Sequence, residues 1–117
     1  MSSPPVGPYT PVVAAGPWLI VSGQVGARQG AIVPGGTAEQ TAQAIANLAG
    51  LLAEHGASLA DVVKTTVFMT DIADFAAINE AYVFAFGDHR PARSAVAVAG
   101  LPLGASVEVE AWAYRPS

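Results

Sequence analysis

The segment 106–114, SVEVEAWAY, alternates between apolar and other residues without a break. Successive side chains of a β-strand point to opposite faces, so this alternation predicts a strand with one face in a core. The two faces are Val107, Val109, Ala111 and Ala113 on one side, and Ser106, Glu108, Glu110, Trp112 and Tyr114 on the other. Any fold of this chain must therefore give the strand a core on one side only.

Four other segments predict strands because they are short, apolar and rich in β-branched or aromatic residues. They are 18–25 (WLIVSGQV), 30–36 (GAIVPGG, which ends in a turn), 61–70 (DVVKTTVFMT) and 92–100 (ARSAVAVAG). The third segment is apolar enough to be a buried central strand.

Two segments predict helices. The first begins at Thr37, with Gln40 in the capping-box position, and Gly56 follows its end. The second has Asp71 or Asp74 as its N-terminal cap. Apolar residues recur at intervals of three and four along both segments: Ile45, Leu48, Ala49 and Leu52 in the first, and Phe75, Ile78, Tyr82 and Phe86, followed by Gly87, in the second.

The predicted order is β-β-α-β-α-β-β. This order favours an α+β fold, a two-layer sandwich with both helices on one face of a mixed sheet. A length of 117 residues fits one domain over 1–117. The sheet face away from the helices then requires a partner to cover it.

Composition supports the need for a partner. The apolar fraction is 52% and the charged fraction only 12%, and a domain of this size cannot bury so much apolar surface by itself. The longest apolar run, PVVAAGPWLIV, is interrupted by Gly16 and Pro17, which argues against a membrane span. A net charge of −4 argues against nucleic acid as a partner. The N-terminal segment MSSPPVGPYT lacks the features of a secretion signal, which favours the cytoplasm.

Few residues offer chemistry. There is no cysteine. His55 and His89 follow the predicted helices, where a cation favours the helix dipole, and no second ligand stands at a spacing typical of a metal site. Arg93 remains as a candidate binding residue, because a guanidinium binds a planar carboxylate with two parallel donors. Glu108 could hold a water or move a proton if its strand pairs with that of Arg93. From these residues alone, solvated or salt-bridged roles for Arg93 and Glu108 stay open.

Five blocks in order along the chain carry a resemblance to a known family. They are GPYT at 7–10, VSGQ at 21–24, TVFMTDIADFAAINEAY at 66–82, PARSAV at 91–96 and VEVEA at 107–111. Together they resemble the RidA/YjgF family of reactive enamine/imine deaminases. The resemblance implies a chorismate-mutase-like α+β domain assembled as a homotrimer, with active sites between neighbouring subunits.

The resemblance also implies a site and a reaction. Arg93 would grip the substrate carboxylate, Glu108 would position the attacking water, and Tyr9 and Ser22 would line the pocket. Ala95 stands where many members have cysteine, the loop before Pro91 is short, and Arg90 would be a charge at the rim. Substrates would be 2-aminoacrylate and related 2-imino acids, hydrolysed to 2-oxo acids and ammonia without metal or organic cofactor. Asn79 and Tyr82 are interpreted as packing residues.

Two hypotheses of other classes stand beside the deaminase. One is a non-catalytic trimeric binder of small carboxylate metabolites. The other is a hydrolase of a related carbamate or ureide, which would use the same arginine with another leaving group. The acidic balance disfavours cleavage of RNA.

Overall fold

A five-stranded sheet organises the part of the chain that the computed structural model describes, residues 7–116. Its strands stand in the order β1-β2-β7-β5-β6. The strands are β1 (Val12–Ala15), β2 (Trp18–Val25), β5 (Val62–Met69), β6 (Ala92–Ala97) and β7 (Val107–Tyr114). A separate two-stranded ribbon is formed by β3 (Ala27–Arg28) and β4 (Ala31–Ile32). The sheet is mixed, because β5 and β6 run parallel while the other pairs are antiparallel.

Two helices lie on one face of this sheet and confirm the α+β prediction. The first, α1, spans Thr37–Ala53, and the second, α2, spans Phe75–Phe86 and connects the parallel strands β5 and β6. Three short 3₁₀ helices occupy connections, at Leu59–Asp61, Ile72–Asp74 and Pro102–Gly104. Because a parallel pair needs a crossover, α2 takes β6 to the edge of the sheet.

The strand prediction for the N-terminal third needs one correction. The segment 30–36 contributes only Ala31–Ile32, and this pair belongs to the ribbon rather than to the main sheet. The first strand of the sheet is instead β1, which forms a hairpin with β2. The hairpin turn is Gly16-Pro17, with Ala15 opposite Trp18 and Gly16 at φ 59. A glycine at positive φ suits a two-residue hairpin turn, and this turn divides the apolar run into two strands.

The core lies between the helices and the sheet. Val107, Val109 and Ala113 of β7 are fully buried, which confirms the face predicted from the alternation. The apolar side chains with 2% exposure or less are Leu19, Val21, Ala44, Ile45, Leu48, Leu51, Leu52, Val62, Val67, Met69, Ile78, Ala105, Val107, Val109, Ala111 and Ala113. The spacing correctly predicts the buried positions Ile45, Leu48 and Leu52 of α1 and Ile78, Tyr82 and Phe86 of α2. Phe75, at the start of α2, was expected in the same stripe and is instead 39% exposed.

The helix ends differ in part from the prediction. Gly36 caps α1 without a side-chain hydrogen bond, so the capping box predicted at Thr37 and Gln40 is absent. Gln40 accepts a hydrogen bond from the Ser106 amide at 2.9 Å instead, and Thr37 contacts the Ser106 hydroxyl at 2.8 Å. These polar groups join α1 to the start of β7, a use that local spacing does not reveal.

The helices bury one face of the sheet, and the other face stays open in the single chain. Trp112 and Tyr114 are exposed there, and both rings form edge contacts with Trp18, at centroid distances of 6.0 and 5.1 Å. Exposed apolar clusters of this kind usually mark interfaces. None of the helices in residues 7–116 has both the length and the apolar character needed to cross a bilayer.

Candidate active site

A cleft of about 350 Å³ opens on the sheet face away from the helices. Its lining residues come from the N-terminal segment and from β2, β5, β7 and the loop before β7: Tyr9, Ser22, Gly23, Phe68, Pro102, Glu108 and Glu110. Three of the predicted site residues, Tyr9, Ser22 and Glu108, thus lie together although up to 99 residues separate them in the chain.

A β-bulge in β2 forms the floor of the cleft. Val21 pairs with Ala111 and Gln24 pairs with Val109, so β2 advances three residues between these pairs while β7 advances two. The extra residue falls at Ser22-Gly23. Bulges redirect side chains and are common beside active sites, and this one brings Ser22 and Gly23 into the cleft with Glu110.

Ser22 holds the N-terminal segment over the cleft. Its hydroxyl donates to the Thr10 carbonyl at 2.7 Å, and its amide donates to the Pro11 carbonyl at 2.9 Å. The segment so anchored carries Tyr9, which lines the cleft and is 44% exposed. Ser22 therefore places the tyrosine, and its hydroxyl proton is already engaged by the backbone.

Glu108 is the acidic group best suited to chemistry in the cleft. Burial raises its pKa above the ordinary 4.5, and the like charge of Glu110, two residues along the strand, raises it further. A carboxyl group whose pKa is moved toward neutrality exchanges protons more readily at physiological pH. Gly23 makes room for it: a Cβ at this glycine would lie 2.7 Å from Glu108 Cδ.

Replacing Glu110 by glutamine is expected to lower the pKa of Glu108, because the substitution removes the like charge and leaves burial in place. The pKa of Glu108 should therefore fall and still remain above its ordinary value. Carbon-detected NMR titration of the Glu108 carboxyl carbon measures both values, with Glu39→Gln, on α1, as the matched control. An unchanged titration in Glu110→Gln would show that the two carboxylates do not interact.

Arg93 lies on the opposite face of the sheet. Its partner in the parallel register of β5 and β6 is Thr65, which is fully buried beneath the helices. The Arg93 guanidinium carbon lies 4.9 Å from the centroid of the Tyr82 ring and 5.6 Å from that of Phe75, both on α2. Within one chain, Arg93 therefore does not share the cleft of Glu108.

The expectation that the strands of Arg93 and Glu108 pair is wrong. Strand β7 pairs with β2 and β5, and β5 separates it from β6. The reason is topological, since the parallel β5-α2-β6 unit sends β6 to the edge and β7 fills the interior position. Ala95 follows Arg93 by two residues and lies on the same face of β6, half-buried against the core.

Two residues interpreted as packing residues have more specific surroundings. The Tyr82 hydroxyl lies 2.7 Å from the Thr65 hydroxyl in the core. The side-chain oxygen of Asn79 is buried and has no hydrogen-bond partner among residues 7–116. Phe75, Asn79 and Tyr82 follow each other at intervals of four and three on one helix face. A buried polar oxygen left without a donor is uncommon, and only the structure exposes this signal.

The remaining candidates have structural contacts. His55 lies 3.1 Å from the Leu51 carbonyl and His89 lies 2.7 Å from the Val62 carbonyl, each through a ring nitrogen. Arg90, exposed in the loop before β6, donates to the carbonyls of Gly87 and His89. Within residues 7–116, no group of three or more acidic or histidine side chains is placed to hold a metal ion.

Comparison with known proteins places these features in one family. The model of the family described as Endoribonuclease L-PSP (Ribonuc_L-PSP), the RidA/YjgF family, matches residues 1–115. The chain belongs to the RidA/YjgF family. The match covers both the cleft on the open face and the arginine under α2, and it confirms the resemblance found in the five sequence blocks.

Individual RidA/YjgF relatives agree over nearly the whole chain. The rat protein named 2-iminobutanoate/2-iminopropanoate deaminase is 44% identical over 112 residues, which are 94% of this chain and 82% of that protein. The structure of RidA from an Antarctic Psychrobacter is 37% identical, with a TM-score of 0.92 over 97% of this chain and 93% of that one. TdcF from E. coli, solved with bound serine, is 35% identical, with a TM-score of 0.90 over 97% and 93%.

Proposed function

We propose that this protein hydrolyses reactive 2-imino acids, of the 2-aminoacrylate and 2-iminobutanoate type, to 2-oxo acids and ammonia. The observation that carries the proposal is the cleft in which Glu108 has a raised pKa beside Tyr9 and Gly23. Two comparisons support it: a relative 44% identical is named as a 2-imino acid deaminase, and a relative of the same fold binds serine, a small carboxylate.

A second copy of the chain completes the proposed site. Arg93 lies under α2 while Glu108 lies on the open face. Within one chain, the group that would bind the substrate carboxylate is therefore separated from the group that would transfer the proton. The exposed aromatic rings of the open face give the copies an apolar surface to bury. In a homotrimer, each site would combine Glu108 of one subunit with Arg93 of the next.

The hydrolysis needs only a modest acceleration by the protein. Transfer of a proton from nitrogen to C3 through solvent converts the enamine to the imine. Water then adds to C2 as Glu108 accepts a proton from it and passes that proton to the imine nitrogen. The hydroxyl proton of the carbinolamine next moves through Glu108 to the amino group, the C–N bond breaks, and ammonia leaves the 2-oxo acid. Arg93 binds the carboxylate through two parallel N–H donors and so positions C2 against the water.

The deciding experiment supplies 2-aminoacrylate from a pyridoxal-phosphate serine dehydratase and follows pyruvate formation with the dehydratase in excess. We expect the wild-type protein to accelerate the reaction above the uncatalysed decay. Arg93→Ala should lower kcat/KM by about 100-fold, since charged hydrogen bonds contribute about 1.5–3 kcal/mol each. Arg90→Ala is the matched control, because within residues 7–116 this exposed arginine hydrogen-bonds only to the carbonyls of Gly87 and His89.

The outcomes separate the candidate functions. Wild-type protein that binds pyruvate in calorimetry but leaves the decay of 2-aminoacrylate unchanged would replace the deaminase by the carboxylate binder. An Arg93→Ala variant with the wild-type rate would remove this arginine from the mechanism. Loss of activity in Arg90→Ala to the same extent would show that the effect is general to positive charge in this region.

A further inference from the structure

The environment of the Arg93 guanidinium is aromatic. Both contacts described for it are with rings of α2, at 4.9 Å from the Tyr82 centroid and 5.6 Å from the Phe75 centroid. An aromatic ring attracts a cation through its face. The ring offers no lone pair that would accept a hydrogen bond from the N–H groups in the guanidinium plane. A guanidinium held in this way keeps its N–H donors for a carboxylate.

The Tyr82 ring is itself fixed from two sides. Its hydroxyl lies 2.7 Å from the Thr65 hydroxyl, and Thr65 is the register partner of Arg93 in the parallel pair. On the other side, its ring packs against Phe86 at a centroid distance of 4.6 Å. Tyr82 is 4% exposed and Thr65 is fully buried, so the hydrogen bond between them is shielded from water. The ring therefore has a defined position relative to the backbone that carries Arg93.

We propose that Tyr82, oriented by Thr65, is the positioning residue that holds the Arg93 guanidinium where it binds the substrate carboxylate. The inference rests on the proposed function of Arg93. Long arginine side chains carry large rotamer entropy, and a ligand that must order one loses affinity. Tyr82 removes this loss because it orders the guanidinium before the ligand arrives. Phe75, farther from the guanidinium, adds a second contact.

The test compares Tyr82→Leu with Tyr82→Phe. Tyr82→Leu removes the ring, and KM for the 2-imino acid and Kd for 2-oxobutanoate should both rise about tenfold, an effect within the range for a partly shielded cation–π contact. The value of kcat should stay within about twofold, because the lost interaction serves binding rather than the reaction itself. Tyr82→Phe keeps the ring and should restore KM to within about threefold of the wild type. Phe84→Leu is the matched control, because it removes a ring of the same helix that is 91% exposed, and it should leave KM unchanged.

A double-mutant cycle shows whether Tyr82 acts through Arg93. In an Arg93→Ala background, adding Tyr82→Leu should leave Kd for 2-oxobutanoate unchanged, since the group that Tyr82 positions is absent. Additive losses of affinity would overturn the inference. If Tyr82→Leu does not fold, Thr65→Val replaces it: this variant leaves the ring without its hydrogen bond and should raise Kd about threefold, and an unchanged Kd would overturn the role of Thr65.

Measuring Kd by calorimetry separates this inference from the proposed function. Wild-type protein that binds 2-oxobutanoate but shows no turnover overturns the deaminase and leaves the positioning role to be judged by Kd. Equal losses of affinity in Tyr82→Leu and Phe84→Leu overturn the positioning role and leave the deaminase intact. Wild-type protein that binds no 2-oxo acid overturns both.

Discussion

Oligomers assembled from equal amounts of Arg93→Ala and Glu108→Gln subunits are expected to recover about one quarter of the wild-type deaminase activity. Each variant alone should be almost inactive. The recovery follows from the placement of the two residues, since Arg93 lies beneath α2 and Glu108 lies in the cleft on the open face. If each site takes one residue from each neighbour, random mixing gives both intact residues in one site of four.

The measurement uses co-expressed subunits that carry the same affinity tag, so that the randomly mixed oligomers are purified together without selection. Activity is then compared with that of each variant alone. Glu108→Gln mixed with Gly23→Ala is the matched control, because both changes affect the same half of the proposed site and no combination restores it. Absence of recovery in the Arg93→Ala mixture, at wild-type oligomer size, would contradict a site shared between subunits.

Gly23→Ala is expected to lower kcat/KM by about 100-fold while the protein stays folded, because a displacement of about 1 Å at a reacting group has an effect of this size. A Cβ at position 23 would meet Glu108 Cδ at 2.7 Å and Oε2 at 2.8 Å. The obstacle is the far end of a flexible side chain, so Glu108 turns away and the backbone remains in place. The free energy of unfolding should therefore change by less than about 1 kcal/mol.

Thermal unfolding and steady-state kinetics on the same preparation test this expectation. Gly50→Ala is the control, since a Cβ at this position of α1 meets no atom within 4 Å. The control should keep full activity and gain a little stability, because alanine favours a helix more than glycine does. Wild-type kcat/KM in Gly23→Ala would show that the Glu108 carboxyl group need not occupy the position seen in the cleft.

Periodicity predicted the helical layer because burial there depends on one stripe of each helix. The apolar stripes of α1 and α2 follow 3.6-residue spacing, and the alternation along β7 predicted which of its faces is buried. The same logic failed for β1, because Gly16-Pro17 interrupts a continuous apolar run and only strand pairing reveals a hairpin there. The capping box failed because Thr37 and Gln40 have partners at Ser106, 66 to 69 residues away.

The motifs of the family predicted three residues that the structure brings together in one cleft, but not the position of Arg93. Tyr9, Ser22 and Glu108 were expected from motifs of the family, and the structure places them in one cleft. That Arg93 occupies the other face depends on strand order and register, which no local pattern contains. The aromatic surroundings of Arg93 depend on how α2 lies over β6, so Tyr82 was interpreted as a packing residue.

The aromatic cluster of the open face would serve as an optical reporter of the proposed assembly. Trp18 and Trp112 are the only two tryptophans of the chain, and they lie side by side on that face. Tryptophan fluorescence therefore reports the solvent exposure of this one surface and no other. Dilution that separates the copies should shift the emission to longer wavelength, without any attached dye.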